Sequence, residues 1–195
     1  NNECCFILEN HGIIASATSI NKLISFTELI TEKAEKSLNV NFEHYKKTTK
    51  ISTELRLVGY KNMSVLCSED LIINNFLKKF NISKINEPLN PDSLLYCGLG
   101  LMSSSGNFKR SLIKYKYKYR NYPRVIKIKD RIYFVAENIL KAKEIEDVFK
   151  SHLYLYSGRI EKRSLSKDDI KRLESYNPQK NRLRFWFDYE GKKEK

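Results

Sequence analysis

The residues best placed for chemistry are Asn10-His11-Gly12. They separate two apolar runs, Cys4-Cys5-Phe6-Ile7-Leu8 and Ile13-Ile14-Ala15. A histidine between two strand-like runs is oriented by the sheet, and a glycine after it lets the backbone turn or come close to a neighbour. An imidazole held in that way suits a metal ligand, because zinc is bound best by a ring whose orientation is fixed. The same residues also fit a partly buried histidine that hydrogen-bonds a carbonyl. Glu9 either shares a strand face with His11 or equally lies exposed at the strand end, and it is not assigned the role of catalytic base.

The 195 residues suffice for one sizeable domain or two small ones. No apolar run approaches the roughly 18 residues that a membrane-crossing helix needs. The start is not basic, and Glu9 and His11 close the first apolar run, so no signal peptide is expected. The only methionines are Met63 and Met102, and the chain opens on the approach to a strand. It is therefore expected to be a piece of a longer protein, cut on its N-terminal side. Cys4, Cys5, Cys67 and Cys97 form no C-x-x-C pair, which argues against a zinc ribbon or disulfide framework and suits free thiols in a reducing cytoplasm.

The net charge is +13. Lysine, asparagine and isoleucine are all abundant, as in AT-rich coding, so the surplus reads first as a solvated lysine surface. Charge alone does not predict a nucleic-acid partner. Segment 109–124 nevertheless interleaves aromatics with cations, either as a stacking platform or as a basic helix with tyrosines packed beneath it.

The elements that must position these residues follow from periodicity. Residues 4–9 and 12–16 read as two short strands or one kinked strand. Thr18 or Ser19 caps a helix over 19–38 whose stripe is Ile20, Leu23, Ile24, Ile30, Ala34 and Leu38. Residues 41–67 are open between helix and short strands at 55–58 or 64–67. Ser68 starts a helix with Leu71, Ile72, Phe76, Leu77 and Phe80 on its buried face. Residues 86–92 read as a loop, 93–97 as a strand running into Gly98, and 103–106 as a loop or helix approach. Segment 108–122 fits helix or strand. A hairpin is expected around Lys129-Asp130, then a helix capped by Asn138 with Ile139, Ala142, Ile145 and Phe149 inward. Ser166 and Asp169 form a capping box for a last helix. The apolar stretch 183–187 is expected to dock, and 191–195 to fray.

In order, these blocks resemble the class II aldolase/adducin family. Leu8-Glu9-Asn10-His11-Gly12-Ile13-Ile14, followed by a helix carrying Glu28, Glu32, Ala34 and Glu35, is similar to the segment holding the last of that family's three zinc-binding histidines. Leu89-Asn90-Pro91-Asp92-Ser93-Leu94-Leu95-Tyr96-Cys97-Gly98 resembles a Pro-Asp-His-x-Ile-Tyr-Thr-Gly segment of longer members, with Ser93 for the histidine and Cys97 for the threonine. Tyr122-Pro123-Arg124-Val125-Ile126, Phe134-Val135-Ala136, the helix with Ala142 and Asp147, and Leu165-Ser166 with Leu173-Glu174 continue the series.

The resemblance implies an α/β fold: the C-terminal part of an aldolase-like α/β/α layer over 1–60, then the smaller α/β region of longer members over 61–195. It implies His11 as a zinc ligand in a parent lyase that cleaves a sugar or sugar phosphate by a retro-aldol step, with zinc stabilising the enediolate. It also implies a homo-oligomer, commonly a tetramer with sites between subunits. The family's His-x-His pair and catalytic glutamate lie upstream of this block and have no counterpart in the chain. A catalytic zinc needs three protein ligands, so this piece alone is expected to bind zinc weakly and to be inactive. Neither His44 nor His152 stands in a ligand pattern, and Tyr96 and Tyr122 read as core or interface residues rather than proton donors. A metal-free adducin-like scaffold is the alternative, and a basic nucleic-acid binder using 109–124 ranks below it.

Overall fold

The computed structural model describes residues 4–80, 85, 87–157 and 163–175, and falls into two compact units, 1–46 and 47–195. The expectations for 183–187 and 191–195 lie outside the described residues.

In the first unit, β1 (Cys4–Leu8) and β2 (Gly12–Ser16) form an antiparallel hairpin with Cys4 opposite Ser16 and Leu8 opposite Gly12. Its turn requires positive φ at Asn10 (62°) and Gly12 (101°), residue types that adopt this conformation at low cost. α1 (Ile20–Leu38) starts at Ser19, whose side chain accepts from the Lys22 N–H, and stops at Asn39 with φ 51°. Glu35 then accepts from the Phe42 N–H and from Lys46 Nζ, both at 3.0 Å, which fixes the turn after the helix. One hairpin and one helix bury little between them. Leu23, Phe26 and Ile30 are half-buried, no residue of β1, β2 or α1 is fully buried, and Phe6, Ile7, Leu8, Ile13 and Ile14 are exposed.

The second unit is a three-layer α/β structure. Its sheet has the order β3-β6-β5-β4, from β3 (Ser64–Cys67), β4 (Met102–Ser104), β5 (Val125–Ile128) and β6 (Arg131–Ala136). β5 and β6 are the hairpin around Lys129-Asp130, β3 runs antiparallel to β6, and β4 runs parallel to β5. The parallel pair needs a crossover, supplied by α5 (Phe108–Tyr119).

Alternation along β6 builds two cores. Ile132, Phe134 and Ala136 meet α3 (Leu71–Lys79), α4 (Pro91–Cys97) and α6 (Ile139–Ser157), through Ile73, Phe76, Cys97, Ala142, Ile145 and Phe149. Tyr133 and Val135 meet α2 (Glu43–Leu57) and α5, through Ile51, Leu55, Leu112 and Tyr115. α7 (Lys167–Ser175) carries the expected capping box: Ser166 Oγ accepts from the Asp169 N–H, and the Ser166 N–H donates to the Asp169 carboxylate, each at 3.1 Å.

Several expectations are corrected. The run 93–97 is the helix α4, not a strand. Asn90 and Ser93 form a reciprocal capping box and Pro91 opens the first turn, and this start signal overrides the apolar pattern. Arg124 then donates to the carbonyls of Leu95 and Tyr96 at the helix end. The cap of α3 is Asp70, accepting from the Ile72 and Ile73 N–H groups, so the buried face falls on Ile73 and Phe76 while Leu71, Ile72 and Phe80 stay exposed. Ser103 and Ser104 belong to a short strand. Of the alternatives open over 41–67, Leu55 and Leu57 lie on helix α2 and 64–67 is strand β3.

Ser68, freed from capping, is fully buried and donates to Glu146 Oε1 at 2.6 Å, while Lys143 holds the other carboxylate oxygen. Glu146 is itself buried on α6. Removing the hydroxyl leaves a buried carboxylate oxygen without its donor. Ser68→Ala is expected to cost about 2 kcal/mol, read as a lower urea midpoint at unchanged slope.

Candidate functional site

The hairpin carries the first candidate. His11 stands at the tip between β1 and β2, exposed, where its N–H donates to the Leu8 carbonyl at 3.2 Å. Its Nδ1 lies 3.1 Å from the Glu9 carbonyl oxygen. A carbonyl only accepts, so this bond is made by the tautomer with Nδ1 protonated. In the neutral ring the lone pair is then on Nε2, the form in which a histidine ligates zinc. The contact uses the Glu9 backbone; the Glu9 side chain is exposed and has no part in it.

The other residues singled out from the sequence have surroundings of their own. His44 packs against Tyr45, with ring centroids 4.1 Å apart and the rings tilted by 40°. Ser93 is buried in its capping box, and burial pushes the Cys97 thiol up to about 12. Tyr122 is buried and donates to Glu137 at 2.8 Å. Among the described residues, no three His, Cys, Asp or Glu side chains are placed to hold a metal together. His11 therefore fits zinc as one arm of a site.

The second unit has polar features that sequence reading missed. The Ser68–Glu146 pair joins residues 78 positions apart, and no local pattern signals it. Beside it, Lys150 bridges Asp147 at 2.8 Å and Asp70 at 3.1 Å; Asp147 first and Asp70 with it hold the ammonium up to about 12. A cleft of about 490 Å³ lies between α2 and the outer edge of β3, with Thr48, Ser52, Arg56 and Ser64 in its wall. A second, of about 460 Å³, opens at the start of α5, with Lys47, Lys50, Lys129 and Gly106 in its wall.

His152 is the one described histidine in the core, 5 % exposed, with neither ring nitrogen hydrogen-bonded among the described residues. Its position three residues after Phe149, on the buried stripe of α6, is the signal that could have found it. Burial holds its pKa down to about 4, so the folded protein keeps the ring neutral.

No protein-family model, curated protein or solved structure matches the chain. What the residues define is the class: a mixed α/β protein in which no described helix is long and apolar enough to cross a membrane.

The depressed pKa of His152 sets a pH dependence. Between about pH 6.5 and about pH 4 the unfolded chain takes up a proton that the folded chain refuses, so stability falls as pH falls. The full effect is about 3 kcal/mol. His152→Leu is expected to flatten this part of the curve, read as the change in urea midpoint between neutral and acid pH for each protein.

Proposed function

We propose that this chain is part of a zinc-dependent lyase of the class II aldolase/adducin kind, acting on a sugar or sugar phosphate, with His11 as one of three zinc ligands. The observation that carries the reading is the His11 ring: at a hairpin tip, exposed, with Nδ1 bonded to a carbonyl and Nε2 left as the ligating nitrogen. The order of the resembling blocks from Leu8 to Glu174 supports it. So do the uncovered apolar side chains of β1, β2 and α1, which suit elements that complete a larger α/β/α layer. In this reading residues 61–195 correspond to the extra region of longer members, and the parent is a cytoplasmic homo-oligomer.

Bound zinc supplies a Lewis acid that polarises adjacent substrate oxygens. The chain's own part is to hold one ligand still. Backbone hydrogen bonds of the hairpin fix the tip, and the Glu9 carbonyl fixes the ring's tautomer. His11 binds and orients; it moves no proton.

The test is zinc content and sugar-phosphate cleavage of the protein expressed from its whole reading frame. Zinc is expected in the purified protein, with His11→Ala weakening its binding by more than about tenfold and removing cleavage. Glu9→Gln is expected to keep both, because only the Glu9 carbonyl contacts the ring. A protein without zinc or cleavage would be a metal-free scaffold, and the lyase reading would be lost.

A further inference from the structure

The distribution of charge, rather than its total, sets one surface apart. Residues 93–129 hold nine lysines and arginines and none of the chain's 23 acidic residues. A coding bias toward lysine does not by itself empty a stretch of acids. α5 is the centre of that stretch. Leu112 and Tyr115 fix its inner face in the core against the sheet. Its outer face then presents Lys109, Arg110, Lys114, Lys118 and Arg120, all exposed and without a carboxylate partner among the described residues.

This arrangement is not what helix stability favours. Arg110, Lys114 and Lys118 recur at i, i+4 and i+8, where like charges repel. They rise by about 6 Å from one to the next along the axis. Among them Tyr117 is 76 % exposed, with the Arg120 guanidinium 5.3 Å from its ring centroid. Arg120 takes the left-handed conformation (φ 56°) at the helix end, where glycine is the usual residue. At the other end of α5 the cleft walled by Lys47, Lys50 and Lys129, with Glu54 as its one carboxylate, adds net charge of the same sign.

We propose that the outer face of α5 binds single-stranded nucleic acid, with Arg110, Lys114 and Lys118 contacting successive phosphates and Tyr117, backed by Arg120, stacking on a base. Complementary charge and an exposed aromatic ring among cations are the chemistry that such a strand recognises. A membrane surface fits less well, because the apolar side of α5 is committed to the core and cannot insert.

The experiment measures fluorescence anisotropy of a labelled oligothymidylate of about 12 nucleotides with the whole chain. Binding is expected at about 50 mM salt and much weaker at about 200 mM, with log affinity falling about 0.7 per phosphate contacted. Lys114→Glu with Lys118→Glu should weaken binding by more than about tenfold. The same charge change at Lys78 and Lys79, on α3 across the sheet, should have a far smaller effect. Tyr117→Ala should weaken binding by about fivefold or more at an unchanged salt slope. Arg120→Gly should weaken binding while leaving the melting temperature equal or higher, which separates recognition from a structural role. The proposal falls if no binding occurs at low salt, or if the α5 and α3 reversals act alike. It falls equally if Tyr117→Ala is silent while phosphatidylserine vesicles bind as well as the oligonucleotide.

Discussion

The second unit depends on β6 being covered on both sides. Residues 132–136 are all buried, and the pleat sends alternate side chains into different layers. One strand therefore sets the register of both cores. A slip by one residue would exchange Phe134 with Tyr133 or Val135 and put each in a space shaped for another. Hydrogen bonds to β5 and β3 on its two edges hold it against that slip. Every helix of the α/β unit that packs on the sheet is placed by reference to this strand. The polar contacts at its flanks, Ser68 on Glu146 and Arg124 on the end of α4, act on a frame already fixed by apolar burial.

Local chemistry that speaks for itself was legible in the sequence. The α1 and α6 helices carry both a start signal and a periodic stripe, α7 carries its capping box, and the β5–β6 hairpin places two apolar runs about a two-residue turn. What the sequence obscured was competition between signals. Ser93-Leu94-Leu95-Tyr96-Cys97 is apolar enough for a buried strand, and only the Asn90-Pro91-Ser93 geometry before it decides for a helix. Ser68 and Asp70 are both good caps two residues apart, and the choice turns on Glu146, far along the chain. Pairings such as β3 with β6 and β4 with β5 have no local signature, since each is a contact between distant segments.

The site divides in the same way. That His11 lies at a strand–turn–strand junction was readable from the residues on either side of it. The tautomer-setting bond to the Glu9 carbonyl was not, because it depends on the turn bringing a backbone oxygen to the ring. His152 shows the converse. Its place on an apolar stripe is visible, yet its lack of a hydrogen-bond partner among the described residues appears only when the layers close around it.

The four thiols are distributed in a way that bears on how this molecule can be followed. Cys4 and Cys5 are exposed on β1, whereas Cys97 belongs to the layer under α6 and Cys67 to the layer under α2 and α5. Each side of the sheet thus contains one cysteine sealed from solvent, and a small alkylating reagent reaches either only when that side opens. The chain carries two built-in clocks, one per layer, whose labelling rates separate the loosening of one half from the loosening of the other.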